Sequence, residues 1–494
     1  MEKYFLDFIN DKSNGAVNAI FVNDSFYTYT ELTNRVTAIA VKINEYGYTQ
    51  KSIGVYLDDH IDTYASILAI WYTGNIYIPL HPTYPKSRIE NIIGVSNIVL
   101  ILATENNIKE LDAGVSLIDC SALKPDFSID TLIPYVYKEN DIVYVLFTSG
   151  STGVPKGVQI SYDNLDSFLD NLEDLSLQFP KGSGYLQMFE LTFDLSIVSI
   201  LLPLMNAGTL YHVSSKSVKY LEIYRLLEEY SIQFAIIVPS VLAMLRPYFE
   251  SIDLPDLLAV GLSGEAVPLE LTEAWQKCCK NARFFNFYGP TECTIFCTYC
   301  EIPGNNIHSQ NGIVSIGKPT KHCKMLCLNE DKTPAEPGQK SILWIGGRQV
   351  SPGYLNNEEL NQKVFMMKDG LRFYNTGDIV IEKDNNELFY LGRQDHQVKI
   401  NGYRIELSEV EFNSSKALDT KAVVIAVKNS NAISQLILFV TKLSLSDSLI
   451  LTKLNEALPG YMVPSKIIQI DEFPLNDNGK LDRKQLHVIY DRYQ

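Results

Sequence analysis

The sequence is short of the features that would mark a secreted, membrane-spanning or nucleic-acid-binding chain. Eight cysteines in 494 residues are too sparse for a disulfide scaffold. No apolar run approaches the ~20 residues needed to span a bilayer, and the opening MEKYFLDFINDKSNG has neither the basic nor the apolar region of a secretory signal. Positive charge is also in deficit, with 42 Lys and Arg against 58 Asp and Glu and a formal charge of −16. That excludes a general nucleic-acid surface, whose electrostatic footprint is basic, but leaves room for a local basic pocket. These absences imply a soluble cytoplasmic protein with neither a nucleic-acid nor a membrane partner. What is present is ordinary globular composition, 46% hydrophobic and 20% charged, in a chain too long for one compact core. No internal repeat or low-complexity tract interrupts it.

Three of the cysteines, Cys293, Cys297 and Cys300, fall as C-x3-C-x2-C, and Cys323 and Cys327 follow. Alternation through CTIFCTYCEI predicts a strand, in which the three would not share a face. Free buried or half-exposed thiols are therefore expected here rather than a metal centre.

The first hundred residues alternate helix and strand patterns. Thr28 with Glu31 makes a capping-box signature before Leu32, Val36, Ile39, Ala40 and Ile43, which lie at helical spacing. Apolar runs at 53–57, 76–80 and 98–102 are separated by segments long enough for one helix each, which predicts parallel strands with crossover helices. FAIIVPS (234–240) and LLAVGLSGE (257–265) predict buried strands that end in small-residue turns, the junctions where open α/β sheets bind ligands. From about Ile313 the pattern changes to shorter strands with hairpin punctuation, DKTPAEPG and KDNNE. The last hundred residues predict a small α+β unit, with a helix over 407–418 and strands at 422–427, 436–440 and 466–470. The segment GRQDHQVKINGYRIE joins it to the rest as a hinge.

The densest local signal is LFTSGSTGVPKGVQIS (146–161), where Gly, Ser and Thr supply turning backbone and donors and Lys156 adds a positive charge. Those are the parts of a phosphate cradle, although the spacing is not that of the nucleotide-hydrolase P-loop. In FNFYGPTECT (285–294), Tyr288 could stack on a base, Asn286 could read its edge and Glu292 could ligate Mg²⁺; a turn with a packed Tyr is the plain alternative. Asp378 in YNTGDI could accept both hydroxyls of a ribose, and Arg393 is a second ribose or phosphate candidate. Lys480 follows an Asn-Gly turn in NDNGKLDRKQL. Each stretch alone also reads as an ordinary solvated turn, but the ordered set does not.

That set, from YTGNIYIPLHPTYPKSRI through TSGSTGVPKG, FDLS, SGEAVP, YGPTE, YNTGD and GRQDHQVKINGYRIE to NGKLDRK, resembles the adenylate-forming superfamily over essentially the whole chain. Within it the chain resembles the adenylation domains of nonribosomal peptide synthetases and the D-alanine:carrier-protein ligases. The resemblance implies an α/β fold: a large N-terminal domain of stacked α/β subdomains with a β-barrel-like portion (residues 1–394), and a small mobile α+β domain (395–494). It implies two reactions, formation of an aminoacyl-adenylate from ATP with Mg²⁺, and transfer to the phosphopantetheine thiol of a carrier protein. Carried over by motif, Thr148, Ser149, Ser151, Thr152 and Lys156 would hold the β- and γ-phosphates. Thr291 and Glu292 would meet the α-phosphate and metal, and Asp378 and Arg393 the ribose. Asn286 and Tyr288 would take adenine, with the Gly264–Glu265–Ala266 backbone on its other face. Lys480 would bridge the substrate carboxylate and the α-phosphate, and Asp395 matches the hinge between half-reactions. The fourteen residues after Lys480 leave no room for a carrier domain, so a separate carrier protein is expected.

Asp194, in the otherwise apolar FELTFDLSIVSILLPL, is costly to bury unless paired. The resemblance gives it the substrate's α-ammonium; capping the following helix is the structural alternative. Leu195, Val198, Ile237, Gly261, Ser263, Phe287, Ile295 and Phe296 align with the rest of the pocket. This uncharged lining predicts a neutral substrate side chain. Phe287 and Phe296 suggest a small substrate while Gly261 suggests added space. Ser263 and Phe287 depart from the D-alanine ligase pattern. An acyl- or aryl-CoA ligase, which Asp194 disfavours, and a catalytically silent nucleotide-binding protein are the competing readings.

Overall fold

The computed structural model describes residues 6–105, 114–125, 128–150, 155–177, 179–395, 397–429, 434–441, 445–474 and 481–493. Two compact units result: Met1–Pro82, Glu90–Phe147 and Gly157–Gln394 form the first, and Thr83–Ile89, Thr148–Lys156 and Asp395–Gln494 the second.

The first unit begins as its local chemistry dictates. The Thr28 hydroxyl accepts from the Glu31 amide at 3.2 Å while the Glu31 carboxylate accepts from the Thr28 amide at 2.7 Å, closing the expected capping box. The helix that follows, Tyr29–Asn44, buries Leu32, Val36, Ile39, Ala40 and Ile43 along one stripe. Strands Ser52–Tyr56, Ile76–Leu80, Leu100–Ala103 and Ile142–Thr148 come next, all in parallel ladders of a seven-stranded sheet. A second sheet of nine strands has a parallel centre, Arg283–Tyr288, Ala259–Leu262, Ile232–Ile237, Gly184–Gln187, Thr209–His212 and Asn18–Val22, with antiparallel strands at both edges. One continuous apolar core joins the two sheets. The strands are apolar on both faces because helices cover them, for which a parallel sheet with crossovers is the natural solution.

This topology places the chemistry. Asp194 lies in the loop after Gly184–Gln187, Ile237 ends its strand, Ser263 to Ala266 follow Ala259–Leu262, and Asn286 and Tyr288 close Arg283–Tyr288. All sit at carboxyl ends of parallel strands, where side chains converge from several elements. Beyond Ile313 the unit becomes antiparallel. The 13-residue strand Leu371–Lys383 pairs along one edge with Lys340–Gly347 and along the other with Phe365–Lys368 and Glu387–Arg393.

In the second unit, Ala422–Lys428, Ser434–Thr441 and Lys466–Ile470 form a three-stranded sheet with helices on both faces. Alternation divides it cleanly: Val424, Leu436, Leu438 and Val440 pack against helices Leu407–Leu418 and Asp447–Ala457, while Val423, Ile425, Ile437 and Phe439 pack against Leu486 and Tyr490. The expected hinge segment is structured beyond Asp395, as strands Gln397–Ile400 and Tyr403–Glu406 closed by Asn401 and Gly402 at positive φ. Such a turn matches the twist of paired strands.

One local expectation is corrected. CTIFCTYCEI is a strand only from Thr298 to Ile302. Thr291–Cys293 forms a short 3₁₀ turn, and Thr294 and Ile295 take φ of 56° and 70°, which an extended strand cannot contain. All eight cysteines are free, buried except for half-buried Cys300, and among the described residues no group of acidic, His and Cys side chains is arranged to hold a metal ion.

Candidate active site

Three expected nucleotide-binding residues meet in the first unit. Asp378 and Arg393 are register partners on adjacent strands. The Arg393 guanidinium donates to the Asp378 carboxylate at 2.8 Å and to the Thr376 carbonyl at 3.0 Å. The Tyr288 phenol donates to the other oxygen of Asp378, and burial together with that negative charge holds it protonated, well above its ordinary pKa. Each carboxylate oxygen keeps lone pairs beyond these bonds, so a diol can still be accepted.

Glu292 sits in the 3₁₀ turn, buried, and accepts the Tyr354 hydroxyl at 2.5 Å. Tyr354 is a site residue that the sequence reading missed; it lies in SPGYL, a stretch with no polar signature of its own. A single carboxylate steadied this way is a hard oxygen donor of the kind Mg²⁺ takes alongside phosphate oxygens, so the residue fits that ion. Thr291 beside it is half-buried. The Asn286 side-chain amide donates to the Ser315 carbonyl at 2.8 Å, which leaves its oxygen as the group able to meet a base. Glu265 accepts from the Ser240 amide at 2.9 Å; Gly264 is half-buried and Ala266 exposed.

The loop after Ile142–Thr148 falls in the second unit, and there its donors already face carboxylates. The Gly150 amide donates to Glu409 at 2.7 Å, Glu409 also pairs with Arg88 at 2.7 Å, and Lys156 lies 3.5 Å from Glu406. Ser149 donates to the Arg404 carbonyl at 2.9 Å and accepts from the Glu406 amide at 3.1 Å. Amide, ammonium and hydroxyl thus present the donor set of an anion cradle. Ser151, Thr152 and Lys480 lie outside the described residues, and Asp395 is exposed, accepting from the Gln397 amide at 3.1 Å.

The expected substrate pocket is close-packed. Asp194, Leu195, Val198, Ile237, Ser263, Phe287, Ile295 and Phe296 are each at most 9% exposed. Asp194 precedes helix Leu195–Met205, yet its side chain makes no bond to the helix end, so capping does not account for it. The Phe287 ring fills the space above Gly261, where an added Cβ would lie 2.4 Å from a ring carbon. Phe287 stacks on Phe296 at 4.3 Å, and Phe168 meets Phe296 edge-on at 4.8 Å. Ser263 donates its hydroxyl to the Phe287 carbonyl at 3.0 Å, fixing the strand that carries the ring.

A second missed residue holds this wall. The fully buried Gln349 amide nitrogen lies 3.2, 3.1 and 2.9 Å from the carbonyls of Cys293, Thr294 and Phe296. Its oxygen accepts from Thr320 at 3.0 Å and Cys323 at 3.3 Å. Thr294 returns a bond to the Gln349 carbonyl at 2.7 Å. A left-handed conformation at β-branched Thr294 and Ile295 is disfavoured and persists only where surroundings impose it.

Residues 10–355 match the AMP-binding enzyme family. A D-alanine–D-alanyl carrier protein ligase from Bacillus licheniformis is 33% identical over 483 residues, covering 94% of this chain and 95% of that protein. A linear gramicidin synthase chain from Brevibacillus parabrevis is 31% identical over 95% of this chain, which spans 9% of that longer protein. Among solved structures, a Vibrio cholerae adenylation domain in complex with glycyl-adenosine-5′-phosphate shares the fold, with a TM-score of 0.86 at 24% identity over 98% of this chain and 97% of that one. The chain belongs to the AMP-binding enzyme family, as a mixed α/β protein with a large N-terminal and a small C-terminal part.

Gln349→Ala removes the clamp and leaves buried carbonyls unsatisfied, so urea unfolding should show a loss of about 3 kcal/mol. A change below about 0.5 kcal/mol, the scale of an unremarkable surface substitution, would contradict the clamp.

Proposed function

We propose that the protein activates an amino acid with a small, neutral side chain as its aminoacyl-adenylate and passes it to the phosphopantetheine thiol of a separate carrier protein. The observation that carries this reading is Asp194, a buried carboxylate not used as a helix cap, on a loop of the sheet whose Gly261 is covered by the Phe287 ring. A buried carboxylate suits an ammonium, and a pocket filled by its own aromatic ring suits a hydrogen or methyl side chain. Relatives named as carrier-protein ligases, and a solved structure of an adenylation and carrier-protein pair, support the acceptor. Free cysteines throughout fit a reducing compartment such as the cytoplasm.

In the first step a substrate carboxylate oxygen bonds to the α-phosphorus of ATP as the bond to the pyrophosphate oxygen breaks. In the second, the thiol sulfur bonds to the acyl carbon, its proton is lost, and AMP leaves. Asp378 and Arg393 are assigned the ribose, Tyr288 and Asn286 the adenine, and Thr148, Ser149, Ser151, Thr152 and Lys156 the pyrophosphate end. Mg²⁺, when bound, supplies positive charge against the crowded phosphates, with Glu292 as its protein ligand and Thr291 beside it. Lys480 is assigned the bridge between substrate carboxylate and α-phosphate. Residues 1–394 would serve as the adenylation core and 395–494 as the domain that turns about Asp395 between steps.

ATP–pyrophosphate exchange across L-, D- and β-amino acids tests this reading. Glycine or alanine should lead, and Asp194→Ala should lower kcat/KM by at least about a hundredfold through an ammonium left unpaired. Exchange with no amino acid would defeat it. Phe287→Ala should admit longer aliphatic side chains; unchanged selectivity would show that the ring does not set pocket depth. Lys480→Ala should abolish exchange while still transferring a supplied aminoacyl-adenylate to the carrier, and equal loss of both would remove Lys480 from its assigned role.

A further inference from the structure

Resting on the amino-acid reading above, a second contact to the substrate's amino group can be located. Strands Ile76–Leu80 and Ile142–Thr148 run parallel with Tyr77 opposite Tyr144, so the two rings share one face of the sheet. The Tyr77 hydroxyl donates to the Leu191 carbonyl at 3.1 Å. That face therefore meets the loop carrying Leu191 to Asp194. Tyr144 is fully buried there, and among the described residues its hydroxyl has no hydrogen-bond partner. Burial, reinforced by the nearby Asp194 charge, holds its phenol protonated, well above the ordinary value. Thr192, in the same loop, is also buried with an unpartnered hydroxyl.

Tyr77 shows what the alternative looks like: the same residue type, one strand away, equally buried, with its hydroxyl bonded to backbone. An orphaned buried hydroxyl costs stability and calls for a partner supplied from elsewhere. A primary ammonium carries three N–H donors. A single carboxylate group engages one or two of them, and a phenol oxygen on the neighbouring wall is the kind of acceptor that takes another. We infer that Tyr144 is a further substrate-binding residue whose phenol oxygen accepts a hydrogen bond from the α-ammonium held by Asp194. The two groups together select a primary amine over acids that lack one. Neither an aliphatic acid nor an aryl acid has a donor to satisfy Tyr144, so its cost remains when they bind.

Tyr144→Phe keeps the ring and removes only the oxygen. Exchange kinetics of this variant should show an amino-acid KM raised roughly tenfold, the scale of one hydrogen bond to a charged group, with kcat and the KM for ATP within about twofold. Inhibition by the corresponding acid lacking the amino group should be unchanged. The melting temperature of the ligand-free variant should be equal or higher, because an unsatisfied group has been removed. A lower melting temperature would show a structural hydrogen bond and overturn the inference, as would an unchanged amino-acid KM or equal weakening of the acid lacking the amine. Absence of exchange by the unaltered protein with every amino acid would instead defeat the underlying functional reading.

Discussion

The carboxamide of Gln349 ties the carbonyls of Cys293, Thr294 and Phe296 to Thr320 and Cys323 in one buried cluster. The wall of the proposed substrate pocket depends on it. The clamp adds to the backbone bonds that hold Thr294 and Ile295 in the left-handed region, and its loss would loosen the segment that carries Phe296 against Phe287. Phe287 in turn relies on Gly261, since any side chain there would collide with the ring. A chain of contacts thus runs from the left-handed backbone through an amide to two stacked rings.

Within each unit, buried carboxylates are held by different partners. In the first unit Asp378 is fixed by a guanidinium and a phenol and Glu292 by the Tyr354 hydroxyl; in the second, Glu409 accepts from the Gly150 amide and Glu406 pairs with Lys156. Buried carboxylates persist where donors converge on them. The groups that donate to Glu406 and Glu409 are of the type that donates to phosphate oxygens.

Much of this was readable in the sequence where local chemistry decides the outcome. The Thr28 and Glu31 capping box, the helix over 407–418 and the strand at 422–427 depend on near neighbours and emerged as expected. The parallel sheets followed from short apolar runs with helix-length spacers. Tertiary partnerships were not readable. Nothing in GGRQVSPGYL marks Gln349 as a clamp or Tyr354 as the partner of Glu292, because those bonds span more than fifty residues. Gly261 and Phe287 give opposing size signals in sequence, because the ring's position over the glycine is a tertiary feature. The run through CTIFCTYC alternates like a strand, but packing around Gln349 overrides that local preference and bends it. Tyr144 lies inside an apolar run and reads as core; only the fold shows its hydroxyl without a partner among the described residues.

The central claim is that a buried carboxylate at Asp194 receives the substrate's amino group inside a pocket closed by Phe287. A crystal structure with a non-hydrolysable glycyl- or alanyl-adenylate analogue tests it most directly. The analogue's ammonium should lie within hydrogen-bond distance of Asp194, its ribose on Asp378 and its side chain against the Phe287 ring. An ammonium bound away from Asp194, with the carboxylate engaged by protein groups alone, would contradict it.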